Sequence, residues 1–257
     1  EHFPAMQFKS DIARLRLSKQ GDIKNFKGDL YCTEKLCERA NITGSVGEGK
    51  EFNFRILRNP KGKRQLSLRA YDAGAFLKAF GIYPNIEGGD LSLIGNYEDS
   101  AKDTVLSGRV IIDNYTVRKA PILAKILSLT SFTGVFDLLQ GNGLTFTKLL
   151  APFTLQNDIL TFRKAKAYGG SIGITAGGTI EFPKQIIDIS GTVVPAYVVN
   201  KILDKVPLVG ALLTGGGEGV FAFDYRVRGV ENEAEVSVNP LSILKPGFLR
   251  GMFDGGE

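Results

Sequence analysis

Apolar and polar residues alternate along most of this chain. In MQFKSDIARLRL, Ile12, Leu15 and Leu17 stand among charged neighbours. The runs IKNFKGDLYC, NITGSVGEG, EFNFRIL, QLSLRAY, GGDLSLIGNY, TVLSGRVIIDNYTVR, LTFTKLLAPFTLQ, DILTFRKAKAY, SIGITAGGTIEF, QIIDISGTVV, GVFAFDYRVRG and AEVSVNPL follow in the same manner. A period of two sends successive side chains to opposite sides of an extended backbone, so these runs predict half-buried antiparallel strands. Most are divided by Gly, Asn or Asp, the residues that turns use. In GVFAFDYRVRG, Phe221, Phe223, Tyr225 and Val227 form one face, and Ala222, Asp224, Arg226 and Arg228 the other.

Four segments break the period. DAGAFLKAFGI predicts a helix with Asp72 as N-cap and with Phe76, Leu77 and Phe80 on one stripe. APILAKILSLTS and FTGVFDLLQGNG predict a helix pair over about 120–139. PAYVVNKILDKVPLVGALLTG predicts another over about 196–213, with Pro207 opening its second half and Gly215 ending it. These short helices are too apolar to face water and need a sheet face to cover. The pattern as a whole predicts a mainly β fold with short helices: a large antiparallel sheet capped by short apolar helices.

Composition agrees. The 257 residues are enough for one large or two modest domains, and 31 glycines, roughly 12% against a usual value of about 7%, suit many strands and turns. No apolar stretch reaches the roughly 18–20 residues of a membrane span. The chain begins EHFPAMQF, in which no basic and apolar targeting pattern can be read, so any membrane anchor is expected outside this stretch.

Charge is uneven. Residues 1–70 carry 15 Lys+Arg against 8 Asp+Glu, whereas the rest carry 17 against 19. The excess peaks in RILRNPKGKRQLSLR, where Arg55, Arg58, Lys61, Lys63, Arg64 and Arg69 flank the turn signal NPKG. A solvated hairpin is the plain reading. The segment lacks the interleaved aromatics on which single-strand binders stack bases, so nucleic acid is not an expected partner. An anionic membrane surface stays open.

Catalytic signals are weak. Cys32 and Cys37 sit five apart and the only histidine is His2, so Cys and His cannot assemble a four-ligand zinc site. A disulfide closing a tight loop is one reading of the cysteines and two inert thiols the other; a bonded pair implies an oxidising compartment such as the periplasm. GSVGEGKE, residues 44–51, mimics a phosphate-binding loop, but Glu51 replaces the hydroxyl residue and a strand follows where a helix is required, so it reads as a turn. TGGGEG, residues 214–219, likewise follows a helix and enters a strand. A Ser-His-Asp triad would have to recruit His2, and Glu98 and Asp99 sit among turn residues with nothing apolar to raise a carboxyl pKa. Neither an enzyme nor a cofactor or metal is expected.

Read together, LAKILSLTSFTGVFDLLQGNGLTFTKLLAPF, AYGGSIGITAGGTIEF, IDISGTVVPAYVVNKILDKVPLVGALLTGGGEGVFAFDYRVRG and VSVNPLSILKPGFLRGMF resemble the C-terminal region of the AsmA-like superfamily. The YhdP-type proteins of alphaproteobacteria look most similar. With the upstream block LSLRAYDAGAFLKAFGIYPNIEGGDLSLIG, the resemblance covers about residues 65–253. It divides the chain into residues 1–64, β strands that continue a groove, and residues 65–257, an AsmA-like C-terminal domain.

The resemblance implies a periplasmic protein, held by an inner-membrane helix elsewhere in the full-length chain. Its curved, twisted sheet would form a groove with an apolar inner wall, along which phospholipids pass from inner to outer membrane. It supplies no catalytic set. The groove candidates are the alternating apolar residues of the matching strands: Leu91 and Leu93, Val110 and Ile112, Phe153 and Leu155, Leu160 and Phe162, Ile172 and Ile174, Ile187 and Ile189, Phe221 and Phe223. The expected partners are phospholipids and the two membranes. The alternative is a non-catalytic structural domain that caps an assembly and docks an envelope protein at the outer membrane.

Overall fold

The computed structural model describes residues 5–34, 36–100, 103–130, 133–195, 222–230 and 233–239. Thirteen strands account for most of them: β1 (Met6–Ser18), β2 (Gly21–Cys32), β3 (Cys37–Val46), β4 (Lys50–Arg58), β5 (Arg64–Ala70), β6 (Ile86–Asp99), β7 (Thr104–Val117), β8 (Leu144–Gln156), β9 (Ile159–Gly169), β10 (Ile172–Glu181), β11 (Ile186–Pro195), β12 (Phe223–Val230) and β13 (Glu235–Asn239). Each strand is hydrogen-bonded to the next in sequence, giving one open antiparallel sheet in chain order. Tight turns make this the cheapest topology, because a strand reversed within a few residues meets its predecessor first. Three short helices are described: α1 (Ala73–Ala79), α2 (Pro121–Ser128) and α3 (Thr133–Gln140). The expectation of a mainly β chain on a large antiparallel sheet with short helices therefore holds. The helices expected at about 196–213, the candidate Phe221 and the chain beyond Asn239 lie outside the described residues.

The chain divides into two compact units, Glu1–Thr116 with Pro152–Asn157, and Val117–Ala151 with Asp158–Glu257. In the first unit, the phosphate-loop mimic is a turn. Gly47 and Gly49 take φ of 55° and 85°, a conformation that costs glycine little, and β4 begins at Lys50. The NPKG segment is also a hairpin turn, with the Asn59 side-chain oxygen accepting from the amides of Lys61 at 2.9 Å and Lys63 at 3.1 Å.

Helix α1 starts where Asp72 caps it, its carboxylate accepting from the Ala75 amide at 2.9 Å. It buries Ala73, Gly74, Phe76 and Ala79. At Gly74 a Cβ would stand 2.4 Å from the Ile86 carbonyl oxygen, so the lack of a side chain lets the helix lie directly on β6. Phe76, Phe80 and Phe52 of β4 then form an aromatic cluster, with Phe52 5.3 Å and 5.5 Å from the other two rings in edge-to-face contact.

In the second unit, α2 has Pro121 in its first turn, where the missing amide goes unmissed. The helix turns Ile126 and Leu127 inward, and α3 contributes Leu139; Leu127 and Leu139 are both 0% exposed. Lys125 reaches β13's approach, donating to the Ala234 carbonyl at 3.4 Å.

Candidate functional site

Residues directly opposite one another in an antiparallel sheet share a face, so pairing register decides which alternating stripes combine. In the first unit, the register runs Leu30, Ala40, Ile56, Leu66, Gly95 across β2 to β6; next to it Gly28, Ile42, Phe54, Leu68, Leu93; and next to that Gly44, Phe52, Ala70, Leu91. The intervening rows face the other way and are polar: Asp29, Asn41, Arg55, Ser67, and Thr43, Asn53, Arg69, Ser92, with Ile94 the main apolar exception. One side of this part of the sheet is thus almost wholly apolar.

The apolar rows are not equally covered. Phe52, Ala70 and Leu91, the row beside α1, are 2%, 0% and 3% exposed. Ile42, Phe54, Leu68 and Leu93, one row further, are only half-buried. At the edge, Met6 and Phe8 of β1 are 54% and 60% exposed. Leu106 of β7 lies over Gly95, where a Cβ would stand 2.7 Å from Leu106 Cδ1. Farther along β7, Val110 is half-buried and Ile112 buried.

The end away from α1 is closed by a charge. Arg64 alternates with Leu66 and Leu68 yet is 3% exposed. Its guanidinium donates twice to Asp99, at 2.8 Å and 2.6 Å, and once to the Cys37 carbonyl at 2.8 Å, and it lies 4.0 Å from the centre of the Tyr97 ring. Each of its three nitrogens donates a hydrogen bond, which offsets the burial of its charge. The hydrogen bonds from Arg64 hold the Asp99 carboxyl below the usual carboxylate range. Burial raises the Tyr97 hydroxyl. Glu98 and Asp99 accordingly belong to the end of β6 rather than to a turn, and Asp99 has a structural partner. Cys32 and Cys37 face each other across β2 and β3 and are joined by a disulfide, next to this network.

The second unit repeats the arrangement. Leu160, Ile180 and Ile187 are opposite one another, then Phe162, Gly178, Ile189, Val227 and Val236, and, beyond a bulge, Ala167, Ile174, Val193 and Phe223. Ile172 follows on the same face as Ile174. The reverse side carries Thr161, Thr179, Asp188, Arg228 and Glu235, and Lys166, Thr175, Thr192 and Asp224. There Arg226 donates twice to Asp188 at 3.0 Å and holds its carboxyl low. Tyr225 lies across Gly191, its hydroxyl donating to the Thr175 carbonyl at 2.7 Å, and burial pushes that hydroxyl up.

Register therefore brings Leu160, Phe162, Ile172, Ile174, Ile187, Ile189 and Phe223 to one face. Of these, Ile172, Ile187 and Phe223 are buried, and Leu160, Phe162, Ile174 and Ile189 half-buried. Leu91 and Leu93 join the apolar face of the first unit. Phe153 is buried and Leu155 half-buried on β8. Missing from the sequence-derived candidates are Leu30, Ile42, Phe54, Ile56, Leu66 and Leu68, although the alternation in EFNFRIL and QLSLRAY already marks four of them. In a polar cavity beside α1, lined by Arg14, Asp22, Lys24, Asp72, Lys78 and Glu87 among others, both aspartates already have partners. Asp22 is bound by Arg16 and Arg14, which lower it to about 2, and Asp72 caps the helix.

Comparison of the chain with protein-family models, with curated proteins and with solved structures finds no match.

Proposed function

We propose that this chain is a bridge-like lipid-transfer module of the periplasm, which holds phospholipid acyl chains on its apolar sheet faces and leaves headgroups in water. The observation that carries the proposal is the row Ile42, Phe54, Leu68 and Leu93, aligned across four strands and half-buried beside the row next to α1, whose Phe52, Ala70 and Leu91 are buried. Extended over five strands, β2 to β6, such a row spans roughly 19 Å at about 4.8 Å per strand, a length suited to an extended acyl chain. Each methylene withdrawn from water contributes about 0.8 kcal/mol, so a few segments suffice for retention without a headgroup pocket. Headgroup selectivity is correspondingly weak. The resemblance of residues 65–253 to AsmA-like proteins supports the same reading, and with it we propose an anchor in the inner membrane, elsewhere in the full-length chain, and delivery at the outer one.

A photocrosslinking residue at Phe54 or Ile174, in protein made in cells with labelled phospholipid, is expected to capture lipid. One at Ser92 or Arg226, on the reverse faces, is not. Lipid extracted from the purified protein should contain several headgroup classes. Equal labelling at both sets, or at neither, would favour a structural domain that caps an assembly and docks an envelope partner.

A further inference from the structure

The polar side of the first unit has a feature that carrying acyl chains does not use. Between Arg55 and Arg69 the sequence has six cations and no carboxylate. The fold neutralises two of them internally, Arg58 through Glu38 and Arg64 through Asp99, while Arg69 stands 4.0 Å from Asp90. Among the described residues, Arg39, Arg55, Lys61 and Lys63 make no ion pair, although Arg55 donates to the Asn41 side chain at 3.3 Å.

These four collect at one corner. Lys61 and Lys63 occupy the β4–β5 turn, whose backbone is held by Asn59: its amide donates to the Lys63 carbonyl at 2.8 Å, and its own carbonyl accepts from Gly62 at 2.8 Å. Arg39 stands opposite Tyr31 on β2 and, one step from the Ala40–Ile56 pair, beside Leu57 on β4. Leu57 is 46% exposed and Tyr31 38% exposed, both on the polar side of the sheet, where strand alternation calls for neither. Pro60 is exposed at the tip.

From this juxtaposition we infer that the β4–β5 hairpin corner is a docking surface for an anionic lipid bilayer. Unpaired cations are drawn to the surface potential, and interspersed aliphatic and aromatic side chains enter the headgroup region, which a solvated hairpin has no use for. Nucleic acid fits less well, because a phosphodiester backbone gives Leu57 nothing to bury against and a single Tyr makes a poor stacking platform. Docking is separate from carrying lipid: a chain that binds vesicles through this corner but holds no acyl chain keeps this inference and loses the transfer reading.

The test is flotation of the 257-residue chain with vesicles of phosphatidylcholine, with or without phosphatidylglycerol, at low ionic strength. Wild type should partition onto the anionic vesicles and not the neutral ones. With each surface cation worth about fivefold in partitioning, Lys61→Gln/Lys63→Gln should lose roughly twenty-fivefold. Leu57→Ser, which leaves the charge unchanged, should also weaken binding to the anionic vesicles. Arg163→Gln/Lys164→Gln, which removes the same charge from exposed positions on β9, should bind like wild type. All these positions are exposed, so far-ultraviolet circular dichroism should be unchanged. The inference is overturned if wild type ignores anionic vesicles, if the β9 variant loses as much as the hairpin variant, or if a single-stranded oligonucleotide binds more tightly than vesicles at the same salt.

Discussion

Phe52→Ala separates the covered row of the apolar face from the half-buried one. The Phe52 ring is 2% exposed, packs edge-to-face on Phe76 and Phe80, and lies over Gly44, where a Cβ would stand 2.8 Å from it. Truncating a buried Phe costs about 3–5 kcal/mol through lost transfer energy and the cavity left behind. Here the two edge-to-face contacts place the loss toward the upper part of that range, at about 4 kcal/mol. The backbone cannot close the space, because Gly74 already sets α1 against the Ile86 carbonyl and the pairing of β3 to β5 fixes the other side. For a chain of this size that loss lowers Tm by about 8–16 °C. Phe54→Ala, two residues along the same strand but half-buried, should cost less than half as much. Urea unfolding followed by circular dichroism reads both, with a shifted midpoint and an unchanged slope. Equal losses in the two variants, or a Phe52→Ala loss below about 1 kcal/mol, would refute the distinction between covered and uncovered rows.

Leu127→Asp places a charge at a position that is 0% exposed and should destabilise the second unit by several kcal/mol, so a wild-type melting curve for this variant would contradict the packing of α2. Asp99 is depressed by its hydrogen bonds from Arg64, so its contribution is present above the unfolded Asp value of about 3.9 and is lost as pH falls through its lower folded value. Carboxyl NMR should show Asp99 titrating below the ordinary Asp range, and Arg64→Met should return it upward; an ordinary midpoint in wild type would break the clamp assignment.

Much of this was legible in the chain itself. Alternation in QLSLRAY, SIGITAGGTIEF and DYRVRG announced strands and the identity of their two faces, because a period of two is a property of the extended backbone alone. Asp72 announced α1 because an N-cap acts within one turn, and Asn-Pro-Lys-Gly announced its hairpin for the same local reason. The spacing of Cys32 and Cys37 left their state open between bond and thiols, and cross-strand pairing of β2 with β3 settled it. Other features needed the fold. Nothing in the spacing says that Arg64, set among leucines, meets an Asp 35 residues away, or that Phe54, Leu68 and Leu93 stand in one row. Nor does it say that α1 covers Phe52 and leaves Phe54 half-buried. Alternation fixes which side of its own strand a residue takes. Only hydrogen-bonded register, a long-range property of the whole sheet, decides which stripes join into a surface and which of its rows a helix is left to cover.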